Sequence, residues 1–512
     1  MRSAGILLPV SSLPSPYGIG TMGAAARSFA DFLSRGGQSF WQVLPVGPTS
    51  YGDSPYQSFS SFAGNPYLID LDELADDGLL DRAKLANVEW GSDPACVDYG
   101  ALYWKRFTVL REAVERLWER DAEDVRAFCA REASWLDDYA LFMTLKDRFE
   151  GKPWSAWPKA LRLRDPEALK AACIQYADVI RFWKGVQYLF FKQWEALRAY
   201  AAQRGIAIVG DLPIYAAQDS ADVWAHPEQF QLDKDGAPIE VAGCPPDGFS
   251  ATGQLWGNPL FDWERMEAEG FSWWIDRVAA QFRLYDVLRI DHFRGFESYY
   301  AIPAGSKDAS TGHWRPGPGM RFFHALERAL GRLRLIAEDL GFLTPAVMQM
   351  LADSGYPGMK VLEFGFDRRD SGGRVYQPHN YPRNSVAYVG THDNEPALGW
   401  LEDADPQDAA YARAYLHLDK REGEGWGMMR GIWASPADLA VVQMQDLLGL
   451  GHEARMNTPS TLGGNWCWRA LPGFDSPELA DRLREQMFLY DRLPQAAADE
   501  AAQPDEGESD ES

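Results

Sequence analysis

The sequence is short of cysteine, of base and of long apolar runs, and each shortage removes a class of function. Its five cysteines, Cys96, Cys129, Cys173, Cys244 and Cys467, are scattered over 512 residues with no C-x-x-C pair. Such a set excludes a disulfide scaffold and a thiolate metal cluster, and it fits a reducing compartment. Lysine and arginine total 50 against 74 acids, a net charge of −24; seven of those acids lie in 498–512, which leaves −17 on the rest. That balance argues against nucleic acid or an anionic membrane as partner and suits a neutral substrate. No apolar run approaches the roughly 18 residues that span a bilayer. The opening Met1-Arg-Ser-Ala-Gly-Ile-Leu-Leu-Pro9 mimics a leader peptide, but Pro9, Ser11, Ser12 and Pro14 interrupt it early. It reads instead as a first strand, and the protein is expected in the cytoplasm.

Several catalytic motifs are missing too. There is no Gly-Lys-Ser/Thr phosphate loop and no G-x-S-x-G elbow, and His452-Glu453 lacks the second histidine of a zinc protease. Gly18-Ile-Gly20-Thr-Met-Gly23 formally matches a dinucleotide fingerprint. Residues 11–17, with two prolines, separate it from the first strand, and the second strand ends in Leu44-Pro45 rather than an acid. That context speaks against a nucleotide cofactor. No cofactor and no metal is expected.

What the chain does have is aromatic residues, 13% of the total with 20 tryptophans. Most fill the core of a large protein; several are expected to offer flat faces to sugar rings. It also has a recurring strand–helix pattern. Strand-like runs are 5–9, 40–45, 206–214, 286–290, 333–337, 359–366, 386–390 and 439–444. Helical spacing of apolar residues marks 272–284, 319–330, 344–354 and 406–417, and it dominates 72–205. Eight alternating units predict an α/β protein, a (β/α)8 TIM barrel with large helical and loop insertions. The expected division is a catalytic barrel over 1–495, with a helical subdomain inserted at about 72–205, an active-site loop insertion at about 215–263, and an acidic, disordered tail over 496–512.

Three of the strand-like runs end in acids: Arg289-Ile-Asp291-His292, Ala337-Glu338-Asp339 and Thr391-His392-Asp393-Asn394. One acid at a strand end is usually a solvated loop residue. Three in succession, at the barrel end where active sites lie, predict carboxylates around one mouth. Strand alternation puts Arg289 and Asp291 on one face, where a guanidinium favours and orients the ionised carboxylate that a nucleophile requires. An apolar surrounding would keep Glu338 protonated as a proton donor. Asp393 would stabilise positive charge on the sugar ring, with neutral His392 as a hydrogen-bond donor. Paired carboxylates are what glycosidic chemistry needs.

Longer runs then make a resemblance. They include Gly52-Asp-Ser-Pro-Tyr-Gln-Ser-Phe-Ser60, Gly64-Asn-Pro-Tyr-Leu-Ile69, Trp135-Leu-Asp-Asp-Tyr-Ala-Leu-Phe142, Gly210-Asp-Leu-Pro-Ile214 and Phe249-Ser-Ala-Thr-Gly-Gln-Leu-Trp-Gly-Asn-Pro259. To these add the three acid runs, Leu448-Gly-Leu-Gly-His-Glu-Ala-Arg-Met-Asn-Thr-Pro459 and Gly464-Asn-Trp-Cys-Trp-Arg469. Together they resemble the bacterial 4-α-glucanotransferases (amylomaltases, glycoside hydrolase family 77) of the α-amylase clan. The resemblance implies Asp291 as nucleophile, Glu338 as general acid/base and Asp393 as transition-state stabiliser. It also implies that Arg289 and His392 contact the transferred sugar, that Tyr56 stacks on it and that Asp211 helps hold it. Gln254 and Trp256 would lie on an acceptor-side loop, with Asn457 as a further polar contact. Phe249 would add an aromatic face there. Gly248 replaces the tyrosine that some relatives place over bound glucan, which leaves the transfer-to-hydrolysis ratio open. No C-terminal β-domain is expected. The implied partners are α-1,4-glucans (maltooligosaccharides and amylose), with glucose as an acceptor. The alternatives are an α-amylase-like hydrolase using the same residues and a glucan-binding protein without catalysis. A carboxyl separation of about 5–5.5 Å is expected for a retaining mechanism.

Overall fold

The computed structural model describes residues 2–50, 52–246, 251–341, 343–369 and 372–495. Its centre is a closed barrel of eight parallel strands: β1 (Ser3–Leu7), β2 (Phe40–Gln42), β3 (Ala207–Leu212), β4 (Val287–Ile290), β5 (Leu335–Ala337), β6 (Gly358–Val361), β7 (Ser385–Tyr388) and β8 (Leu439–Gln443). Each strand pairs with its neighbours in sequence, and β8 closes the ring against β1 in register Ser3–Leu439 to Leu7–Gln443. Strands buried on both faces read as continuous apolar runs, and β4, β7 and β8 are buried at every position.

The predicted units fall where the spacing puts them, with trimmed ends. The sixth strand stops at Val361, and 362–366 turn into a 3₁₀ helix instead of continuing as a strand. Gly365 packs against the Tyr376 carbonyl there, so the chain bends beneath the next layer. The helix after β5 shows the local logic. Thr344 accepts from the Val347 N–H at 3.3 Å, Pro345 occupies the first turn, and Gly355 ends the helix at φ 67°.

Between β2 and β3 the chain forms a run of helices from Leu71 to Gln203, including Tyr99–Arg120, Ala133–Arg148 and Ala177–Gln203. The last returns to the barrel and grips the loop that follows β2. Gln187 pairs with both main-chain groups of Gly64, at 2.8 and 2.9 Å, and Gln193 does the same for Asp70, at 2.7 and 3.0 Å. Buried Arg106 adds a bond to the Tyr67 carbonyl at 2.9 Å. A buried amide that satisfies an N–H and a C=O together fixes a loop as a strand partner would.

The 215–263 region is more than a loop. Glu240–Cys244 and Gln254–Pro259 join Ser298–Pro303 and His313–Pro316 in a four-stranded antiparallel sheet, which the sequence reading does not anticipate. Gly243 sits where a side chain would strike the Gln254 carbonyl, so only glycine lets these strands close up. The G-x-G-x-x-G match is structural. Gly18, Gly20 and Gly23 lie against the Trp90 carbonyl, the Val10 carbonyl and the Asp70 carboxylate, where a phosphate would have no room. Among the described residues no sheet strand follows Gln443, and the last element is the helix Pro477–Leu489. No described helix is long and apolar enough to cross a membrane. The tail reading over 496–512 and the positions Gly248 and Phe249 lie outside the described residues.

Candidate active site

The predicted acids gather at the C-terminal ends of adjacent strands. Asp211 is in β3, Arg289 in β4, Asp291 one residue past β4 and Glu338 one residue past β5. Main-chain bonds hold these ends together: Asp291 N–H donates to the Leu212 carbonyl at 3.0 Å and Glu338 N–H to the Ile290 carbonyl at 3.0 Å. Arg289 is the buried hub. Its Nη1 donates to both Asp211 oxygens at 2.7 and 2.6 Å, and its Nη2 lies 3.1 Å from Asp291 Oδ1. The resemblance has Asp211 help hold the sugar. In the structure the Asp211 side chain is 0% exposed, and its oxygens accept from Arg289 and from the Tyr56 hydroxyl at 2.8 Å.

Glu338 is clamped from behind. Its Oε2 accepts the His292 N–H at 2.7 Å and its Oε1 the Leu340 N–H at 2.8 Å. His292 holds φ 54°, a left-handed turn that aims this N–H across the cleft floor from the residue next to Asp291. Burial raises the Glu338 pKa, opposed by Arg289 and the two N–H groups. Burial also raises Asp291, opposed by Arg289 and reinforced by Asp211, Glu338 and Asp393. Two carboxyls this close titrate as a pair rather than singly. The guanidinium beside Asp291 favours its ionised form, and the Asp291 side chain, 31% exposed, meets solvent in the cleft.

Asp393 faces this pair from the loop after β7. Its Oδ1 accepts from Asn457 Nδ2 at 2.6 Å and lies 3.4 Å from His392 Nε2; its side chain is 46% exposed. Burial lowers the His392 pKa, so the ring is neutral near pH 7. Tyr56 stacks on His392 at 5.1 Å and 14° between planes, and Trp466 closes the group at 5.7 Å from Tyr56. Trp256 stands edge-on to His292 at 4.9 Å, its indole N–H bonded to Gln254 at 3.0 Å. The structure thus brings together Tyr56, Asp211, Arg289, Asp291, Glu338, His392, Asp393 and Asn457, with Gln254 and Trp256 along one rim.

Sequence reasoning passes over three residues here. Trp466 and His292 sit inside quoted runs without a stated role, and so does Arg455, which binds the Asp393 carbonyl at 3.0 Å. His292 Nε2 is buried with no hydrogen-bond partner among the described residues, and burial with Arg294 pushes the ring down to about 3, so it offers an uncharged nitrogen. Asp339 is not catalytic: it accepts the Met359 N–H at 2.6 Å and braces β6 against β5. Glu395, Asp403 and His452 are spaced like metal ligands, but His452 already bridges the acids and Arg455 occupies Glu395. The site offers two neighbouring carboxyls, one of them beside the buried guanidinium of Arg289, and a third on the loop after β7. That arrangement suits acid-assisted displacement at a centre that develops positive charge.

Comparison with known proteins agrees. A family model described as 4-alpha-glucanotransferase (glycoside hydrolase family 77) matches residues 8–473. A 4-alpha-glucanotransferase of Thermus thermophilus is 48% identical over 503 residues, covering 96% of this chain and 99% of that protein. One from Clostridium butyricum is 46% identical over 485 residues, covering 94% and 99%. Among solved structures, an amylomaltase from Streptococcus agalactiae in complex with acarbose superposes with a TM-score of 0.94 at 41% identity, covering 96% of this chain and 100% of that one.

Proposed function

The chain belongs to the 4-alpha-glucanotransferase family, glycoside hydrolase family 77, and from that premise we propose that Asp291, Glu338 and Asp393 carry a retaining double displacement on α-1,4-glucans. The activity is transfer of glucan segments from a donor to an acceptor chain. The observation that supports the assignment best is the junction of Asp291 and Glu338. One carboxyl lies beside a guanidinium, and the other is clamped by the main chain of the residue that follows the first.

In the first step Asp291 Oδ attacks the anomeric carbon while Glu338 gives its proton to the departing glycosidic oxygen. The C–O bond to the leaving chain breaks, and a glucosyl ester to Asp291 forms. Asp393 faces the ring as positive charge develops, and Arg289 and His392 hold hydroxyls without adding net charge to the cleft. In the second step Glu338, now ionised, takes the proton of an acceptor 4-hydroxyl, which displaces Asp291 with overall retention. Maltooligosaccharides and amylose are the donors, and the same chains or glucose the acceptors. Tyr56 and Trp256 supply aromatic faces, with Gln254 and Asn457 as polar contacts. The catalytic unit spans 1–495, including the helical insert that steadies the Tyr56 loop. With few cysteines and a neutral substrate, the cytoplasm is its site of action.

Incubation with maltotriose tests this reading. Free glucose together with longer maltodextrins, at a constant number of reducing ends, is the expected result. A one-for-one rise in reducing ends would make the chain a hydrolase, and no change at all would make it a binding protein.

A further inference from the structure

We propose that Arg455 is a positioning residue for the transfer reaction, fixing the Asp393 carboxylate against the sugar ring. The proposal rests on the reading of Asp393 given above. Asp393 lies past the end of its strand, half in solvent, with its own N–H only 3.4 Å from the Thr391 hydroxyl. On the barrel side its carboxylate has His392 Nε2 at 3.4 Å. Its other partners come from the segment after β8. Asn457 Nδ2 binds Asp393 Oδ1 at 2.6 Å, and Arg455 grips both partners of that bond by their main chains. Its Nη2 donates to the Asp393 carbonyl at 3.0 Å and its Nε to the Asn457 carbonyl at 2.9 Å. The third arm, Nη1, is paired with Glu395, whose other oxygen lies 3.0 Å from His452 Nδ1.

A guanidinium is planar and donates from a rigid fork, so three bonds in three directions set one relative placement of the two loops. A lysine cannot reproduce it, because a single ammonium has no such fork. The pairing is also partly withdrawn from water: the Arg455 side chain is 25% exposed and that of Glu395 13%. Beneath them lie the buried carboxyls of Glu363 and Asp446, and Arg455 is the cation that acts on Glu363. The positive charge therefore has a local reason to stay where it is, and removing it loosens the Asn457 contact that aims Asp393.

A carboxylate that stabilises a developing charge acts only at short range and in the right direction, and an ångström of misplacement costs about 10²-fold in rate. The loss must fall on the transition state rather than on ground-state binding. We therefore expect Arg455→Ala to lower kcat on maltotriose by about 10²-fold with KM changed by less than about threefold. Affinity for acarbose, whose protonated amine mimics the charged ring, should fall in step with kcat. Methylguanidine should restore part of the activity to Arg455→Ala but none to Arg455→Lys, whose side chain fills the slot. A rise in KM for maltotriose as large as the loss of acarbose affinity, or a kcat that follows only the folded fraction, would overturn the proposal, as would the absence of rescue in a folded Arg455→Ala. Should Arg455→Ala not fold, Arg455→Lys and Glu395→Gln carry the same maltotriose-to-acarbose comparison. Asp393→Asn run beside them separates the two claims. If it keeps full turnover, the role given to Asp393 fails; if it is inactive while Arg455→Ala matches wild type, only the Arg455 proposal fails.

Discussion

The two walls of the cleft are built differently. On one side Arg289, Asp291 and Glu338 sit at the ends of paired strands, tied by main-chain bonds between β3, β4 and β5. On the other side Tyr56, His392, Asp393, Asn457 and Trp466 come from loops, and side chains do the tying: Gln187 and Gln193 at Gly64 and Asp70 of the segment that carries Tyr56, Arg455 for Asp393. The comparison teaches that the two walls have different weak points. The strand wall is lost only by changing the reacting groups themselves, whereas the loop wall is vulnerable at residues that never meet the sugar.

The largest expected effect is on the strand wall. Asp291→Asn should remove turnover by at least about 10⁴-fold and leave glucan binding intact, read by steady-state rates beside calorimetric titration with maltoheptaose. Glu338→Gln should cost about 10²–10⁴-fold on maltotriose and much less on α-maltosyl fluoride, whose leaving group needs no proton. In the wild type the acid must be protonated, and burial raises its pKa. The rate should therefore fall as pH rises through that raised value, and this alkaline limb should vanish with the fluoride donor. A limb of equal size on both donors would take the acid role from Glu338.

The loop wall predicts smaller effects of another kind. Gln193→Ala leaves both main-chain groups of Asp70 buried and unpaired, so it should destabilise by about 1–3 kcal/mol in denaturant unfolding, with KM rising before kcat falls. An exposed pair such as Arg35–Asp481 should show far less on the same scale. The last effect is one of pH, at Asp446, whose pKa burial pushes up to about 7 from an ordinary 3.8. The folded state then holds a proton that the unfolded chain gives up, so the stabilising contribution is complete below about pH 4 and is lost by about pH 7. Asp446→Asn should gain in melting temperature relative to wild type as pH goes from 5 to 8. A constant difference would remove the buried proton.

The same division decides how much of the molecule could be read in advance. Apolar runs closed by Asp291 and Glu338 are legible because strand alternation alone fixes where their side chains point, and the eight-strand count follows from the same periodicity. Tyr56 and Asn457 sit in irregular loops with no period to read, and only the family resemblance singled them out. Arg455 stays hidden inside a quoted run because its meaning lies in three bonds to residues 393, 395 and 457. The small antiparallel sheet is missed because Gly243 breaks the apolar pattern where two strands approach most closely, and nothing in the strand of Asp211 shows that its oxygens bind Arg289 and Tyr56.

Trapping the covalent intermediate tests the central claim most directly. The protein is mixed with an activated maltooligosaccharyl fluoride whose non-reducing 4-hydroxyl is removed, so that it can glycosylate the enzyme but cannot accept, and the digest is read by mass spectrometry. We expect one glucan ester, on Asp291, that disappears when maltose is added. A label on Asp393 or Glu338, or full transfer activity with Asp291 never modified, would contradict the account.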